Sequence, residues 1–158
     1  MYKSSKLYLI FYKYVCLLFS SIWVINWLYL SIAPDSVITI NGVTQEANFL
    51  NSIIFLIFGA IFSLPYFLVG KKMVYVEMEN VKIRIKKNGQ FREYEWSQVE
   101  YIQLSLIILP PTYRLKITGN PNTFLFCTGI NGFAVPFYVW DFTEMGKFIK
   151  KMKQENRL

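Results

Sequence analysis

Four carboxylates (Glu77, Glu79, Glu93, Glu95), two thiols (Cys16, Cys127) and the Lys82-Ile83-Arg84 step are the groups in this chain whose types could do chemistry. Their spacing points away from catalysis. The carboxylates recur at alternate positions of short segments, a period that puts them on one face of a strand, where Lys or Arg across the sheet would pair with them in water. The thiols fall in unlike segments, one apolar and one strand-like, and neither has a metal-type or disulfide-type spacing. The sequence has no histidine, so an imidazole base, a His-containing triad and a His zinc site are excluded. No glycine-rich phosphate loop occurs; Gly89, Gly119, Gly129 and Gly132 fall in turn-like stretches. The expectation is a non-enzymatic protein with no catalytic residue, no cofactor and no metal.

The elements that would carry these groups divide the chain sharply. Of its 158 residues, 54% are hydrophobic, and the surplus is concentrated in two charge-free runs, Tyr14 to Ile32 and Ala47 to Gly70. As a helix the second outreaches the roughly 30 Å of a hydrocarbon core. Together they predict a transmembrane hairpin over residues 1–70, with helices at about 7–32 and 48–70 and a short outer loop at 33–47. Within that loop, VITINGVT sets two β-branched runs about Asn41-Gly42, a strong local hairpin signal. It reads as a tight cap over the helix pair. A cleaved signal peptide fits less well, because the first run is longer than the about 7–15 residues of a signal core.

Charge sets the expected orientation. The net +7 comes from the two ends: Lys3, Lys6 and Lys13 precede the first charge-free run and Lys71-Lys72 follow the second at once, whereas residues 14–70 carry only Asp35 and Glu46. Lysine-rich flanks favour the cytoplasm, which predicts a multi-pass protein of the plasma membrane with both termini inside. Tyr8, Tyr12 and Tyr14 at one end and Trp23, Trp27 and Tyr29 toward the other suit the headgroup zone. Asn26 is an amide in an apolar run and needs a partner there; Asn51 is the candidate, or the same group in a second copy of the chain. Gly59 and Ser63 form a small-xxx-small pair that would let helices approach.

Beyond Lys72 the period changes to alternation, the mark of half-buried antiparallel strands. Val74, Val76 and Met78 alternate with Tyr75, Glu77 and Glu79, and Val81, Ile83 and Ile85 with Lys82, Arg84 and Lys86. Turns are expected at Glu79-Asn80 and Asn88-Gly89, and further strands at about Gln90–Trp96, Val99–Leu109, Tyr113–Thr118, Thr123–Thr128 and Ala134–Tyr138. Asp141 is placed to cap a closing helix, with Phe142, Met145, Phe148, Ile149 and Met152 on its apolar side. Lys147, Lys150, Lys151 and Lys153 fill the other side and its C-terminal end. With Lys71 and Lys72, the cations Lys147, Lys150 and Lys151 are the predicted contacts to an anionic membrane surface, at about 1 kcal/mol each.

Three stretches, VYVEMENVKIRIKKNG, Tyr94-Glu-Trp96-Ser-Gln-Val99-Glu-Tyr-Ile102 and the helix Asp141 to Gln154, resemble the bacterial PH-like domains of the pleckstrin-homology superfold found beside membrane hairpins. The resemblance implies that residues 71–158 form a cytoplasmic α+β domain, an antiparallel barrel of six or seven strands closed by a C-terminal helix. Lipid-binding members of that superfold carry basic residues around the first hairpin. Here Lys82 and Arg84 stand there, but the turn itself is the acidic Glu79-Asn80. The function expected from all this is a membrane-anchored module that presents a protein- or lipid-binding surface at the inner leaflet. Its partners would be the bilayer and a protein of unknown identity, with no nucleic acid. The alternative is an immunity or accessory protein for a toxin or secretion system, acting through the hairpin.

Overall fold

The computed structural model describes residues 1–33, 37–46, 49–50, 52–105, 111–129 and 141–158. The chain divides into two units, Phe11–Lys71 and the combination of Met1–Ile10 with Lys72–Leu158.

In the first unit, the helical segments are α2 (Cys16–Ile32), preceded by a π-type stretch over Phe11–Val15, and α3 (Ile53–Leu68). With the short α1 (Lys6–Ile10), the first helix runs 27 residues over Lys6–Ile32; the second, with its closing 3-10 turn, runs 20 over Ile53–Lys72. Both are long and apolar enough to cross a membrane. Only 11% and 17% of their apolar windows are buried within the chain. The second helix starts at Ile53, later than the expected 48. Between the helices, β2 (Val37–Ile40) and β3 (Val43–Glu46) form the expected two-stranded ladder. Asn41 and Gly42 take left-handed φ values of 52° and 82°, as a tight two-residue turn requires.

Among its described residues the second unit holds, besides α1, seven strands and a closing helix: β1 (Tyr2–Lys3), β4 (Tyr75–Met78), β5 (Lys82–Lys87), β6 (Gln90–Glu95), β7 (Val99–Ser105), β8 (Thr112–Ile117), β9 (Thr123–Cys127) and α4 (Glu144–Asn156). They make two antiparallel sheets, β1-β4-β5-β6 and β7-β8-β9, rather than the closed barrel expected. The break falls at Trp96–Gln98, where the chain takes a 3-10 turn instead of a hairpin. There Glu95 and Gln98 cap each other's backbone amides, and Gln98 Oε1 accepts the Glu95 N–H at 2.9 Å. Near Met73, Val74 N–H donates to Leu125 O at 2.8 Å, so β9 meets the chain just ahead of β4. The strand expected at Ala134–Tyr138 lies outside the described residues, as does the far end of the segment expected to reach Leu109.

One strand was not expected. Tyr2 and Lys3 pair antiparallel with Met78 and Glu77, so the start of the chain completes the edge of the four-stranded sheet. Ser4, 4% exposed, donates its N–H to Val76 O and accepts Val76 N–H at its hydroxyl, both at 2.8 Å. The core between the sheets and α4 takes Val74, Val76, Met78, Ile83 and Ile85 from the alternation read in the sequence, but not Val81, which is 76% exposed; Ile102, Leu115 and Phe126 join it, with Met145, Phe148, Ile149 and Met152 from the helix. Burying them is the main favourable term of the fold.

Two details of α4 correct the sequence reading. Its N-cap is Thr143, whose Oγ1 accepts the Gly146 N–H at 2.9 Å, not Asp141. Asp141 lies outside the helix and accepts from Thr143 N at 2.9 Å and Thr128 Oγ1 at 2.6 Å. Phe142 falls before the helix and is 63% exposed, so it does not extend the apolar stripe.

Candidate functional site

Two features are candidates: the contact face of the helix pair and the basic surface of the sheet unit. The helix pair is built on small residues and rings. A Cβ on Gly59 would lie 2.8 Å from Val24 Cγ2 and 3.4 Å from Ser20 O, so only glycine lets the helices come this close. The Ser20 hydroxyl donates to Gly59 O at 2.8 Å, and Ser31 and Ser52 share a hydroxyl bond at 2.9 Å. These contacts run in opposite order along the two helices, which makes the pair antiparallel. Trp23 packs on α3, its ring 5.6 Å from Phe55, 5.0 Å from Phe58 and 6.3 Å from Phe62. It is therefore half-covered by the partner helix, where the sequence suggested an interfacial ring.

Asn26 turns its amide back to its own helix, with Nδ2 donating to Ile22 O at 2.8 Å. Its suggested partner Asn51 lies outside the described residues. The inter-helix polar contacts among the described residues are instead serines. Serine back-bonding at four-residue spacing, as from Ser31 Oγ to Trp27 O at 2.8 Å, satisfies a hydroxyl in an apolar setting without a partner helix. That ambiguity is why the sequence did not single these residues out.

Of the predicted surface cations, Lys147, Lys150 and Lys151 share the exposed face of α4. Lys147 pairs with Glu144 at 3.1 Å and Lys151 with Glu155 at 3.7 Å; Lys150 has no carboxylate partner among the described residues. Such exposed pairs are screened and weak, so the lysines stay available to other anions. Lys71 and Lys72 occupy the 3-10 turn that closes the second helix. Lys71 lies over the Phe67 ring at 4.7 Å, a cation–π contact that anchors it beside an apolar segment.

The outer face of the four-stranded sheet is neutralised internally. Glu93 receives Lys82 Nζ at 3.0 Å and Arg84 Nε at 2.7 Å, and Arg84 also reaches Glu79 at 3.5 Å. Hydrogen bonds from Lys82 and Arg84 hold the Glu93 carboxyl below its ordinary range. Lys82 and Arg84, the pair that the pleckstrin-homology resemblance would set on a phosphate, are thus engaged by carboxylates.

Inside the unit, burial and then the Asp141 carboxylate raise the Tyr113 hydroxyl above the usual phenol range. Burial pushes Cys127 up to about 12, against a partial offset from its contact with Thr112 Oγ1 at 3.0 Å. Both groups stay protonated at neutral pH and fix the start of α4 and the end of β9. A Cβ on Gly146 would collide with the Asp141 carboxylate, so this corner is built for packing. Among the described residues no group of three or more His, Cys, Asp or Glu side chains could hold a metal ion. No protein-family model, curated protein or solved structure with which the chain was compared matches it.

Proposed function

We propose that the chain is a membrane-anchored, non-enzymatic module of pleckstrin-homology-like architecture. Its two apolar helices cross the bilayer as a hairpin, and its sheet unit offers a protein- or lipid-binding surface on the cytoplasmic side. The observation that carries this reading is the pairing of β1 with β4. Residues before the first helix and after the second belong to one folded unit, so both must lie on one side of any membrane between them. Two crossings meet that condition and one does not. The lysines flanking the helices favour the cytoplasm as that side. The exposed lysines of α4 add attraction to an anionic leaflet without selecting one lipid.

Alkaline carbonate extraction tests the anchoring: the full chain stays with the bilayer pellet, and release into the supernatant would overturn it. Deletion of residues 73–158 tests which part works. The module reading expects the truncated chain to behave like a null in any phenotype the full deletion produces. Retention of that phenotype's wild-type level by residues 1–72 would contradict it and favour a hairpin-based immunity or accessory role.

A further inference from the structure

The core-facing side of the four-stranded sheet changes character along β5 and β6. Successive cross-strand pairs on that side are Ile83 with Tyr94, Ile85 with Arg92 and Lys87 with Gln90. Ile83 and Ile85 are 0% and 2% exposed, and the strand period directs the next side chain, Lys87, the same way. The run of core positions therefore ends in two cations and an amide. They face the β8–β9 turn, and between the two turns lies a cleft of about 590 Å³ lined by Lys87, Asn88, Gln90, Arg92, Asn120 and Asn122, with the Tyr94 and Phe124 rings also on its wall.

Charge distinguishes this cleft from the rest of the sheet. On the outer face, Lys82 and Arg84 are neutralised by Glu93. Within the cleft no carboxylate is among the lining residues described, and Arg92 has no ion pair among the described residues. Lys87 lies over the Phe124 ring at 5.7 Å, a contact that orients the ammonium without neutralising it.

Both walls are also held in place before anything binds. Asn88 and Gly89 take φ values of 52° and 83°, the geometry of a tight hairpin turn. In the opposite turn, Lys116 Nζ donates to Pro121 O at 3.2 Å, Asn120 N–H to Ile117 O at 3.1 Å, and Asn122 N–H to Asn120 Oδ1 at 3.0 Å. A guanidinium fork, an ammonium and side-chain amides lining one open cleft suit the oxygens of a phosphate group. The volume is that of a small-molecule site.

We infer that this cleft binds a phosphate monoester group, carried either by a soluble small molecule or by a lipid headgroup. It lies at the opposite end of β5 from the Glu79-Asn80 turn. The proposal is independent of whether the apolar helices span a bilayer.

The test is an NMR titration of the full chain in an uncharged detergent, following the backbone amides of Asn88, Gly89, Gly119 and Asn120. One arm adds glycerol 3-phosphate and the other dioctanoyl phosphatidic acid, each against sodium chloride at equal ionic strength. Saturable shifts confined to the two turns are expected in at least one arm. The first arm alone assigns a soluble source and the second alone a headgroup. Combined Lys87→Gln and Arg92→Gln should weaken binding by about tenfold or more, with Arg92→Lys intermediate. Lys86→Gln, outside the cleft, should change nothing. Absence of saturable shifts in both arms at millimolar ligand overturns the proposal. So does unchanged affinity in either the double variant or, should that variant not fold, Arg92→Lys.

Discussion

The ring of Tyr2 stacks on that of Phe148 with centroids 4.3 Å apart and planes 23° from parallel. The second residue of the chain and the middle of its last helix thus share one contact. The strand that Tyr2 begins is two residues long, yet it supplies an edge to the sheet and an ion pair from Lys3 to Glu77 at 3.7 Å, and Ser4 just after it gives a hydroxyl to Val76 N–H.

Ser4→Ala removes the acceptor of a buried backbone N–H and should cost about 1–3 kcal/mol. Tyr2→Ala should add about 0.5–1.5 kcal/mol beyond lost area by removing the stack on Phe148. Urea unfolding followed by the fluorescence of Trp96, buried in the same unit, in a background with Trp23, Trp27 and Trp140 replaced by Phe, measures both. Unchanged midpoints would mean that the N-terminal strand does not pair.

Gly59 is the closest point of the helix pair, so bulk there should separate the helices in proportion to size. Gly59→Ala puts a Cβ 2.8 Å from Val24 Cγ2 and so forces that side chain to shift, whereas Gly59→Ile cannot be accommodated without parting α2 and α3. Disulfide trapping of Ser31→Cys with Ser52→Cys, whose hydroxyls lie 2.9 Å apart, reports it. Trapping should be efficient in the parent, reduced by Ala and largely lost with Ile.

Glu93 predicts an acid-side signature. Its carboxyl is held down in the folded state by Lys82 and Arg84, so its contribution is present above the ordinary carboxylate range and fades as pH falls through the lowered value. Glu93→Gln should therefore lose stability at neutral pH and show a flatter stability profile in acid. A profile parallel to the parent's below pH 5 or so would contradict the pairing.

Cys127 predicts the opposite edge. Burial raises it from an ordinary 9.0 to about 12, so the unfolded thiol ionises first and stability should decline from about pH 9 toward pH 12. In a Cys16→Ser background, iodoacetamide should modify Cys127 slowly in the native state at pH 8 and fast in urea. Fast native modification would show an exposed thiolate.

Period and turn chemistry made much of this architecture legible. The two apolar runs became the two long helices, and Asn41-Gly42 and Asn88-Gly89 mark turns whose residues take left-handed φ. The Trp96-Ser-Gln step became the turn into β7, with Trp96 donating its indole N–H to Glu79 O at 2.9 Å. What could not be read depended on distant partners. Two residues, Tyr2 and Lys3, are too few to show a period, and their strand exists only because the edge of β4 is free. Asp141 and Thr143 are both good capping types; the Gly146 N–H goes to Thr143 Oγ1, while the Asp141 carboxylate is taken up by Thr128 and Thr143 N. The cationic cleft was hidden because Lys87 and Arg92 look like surface residues until cross-strand register sets them on the side of Ile85.

The most direct measurement of the central claim is labelling of single-cysteine variants by a membrane-impermeant maleimide in intact cells, with Cys16 and Cys127 replaced by Ser. Ser5→Cys and Asn156→Cys should label only after the cells are opened, and Gly42→Cys should label at once. Labelling of Ser5→Cys and Asn156→Cys from opposite sides of the membrane, or of Asn156→Cys from outside, would contradict a cytoplasmic module held by a two-helix hairpin.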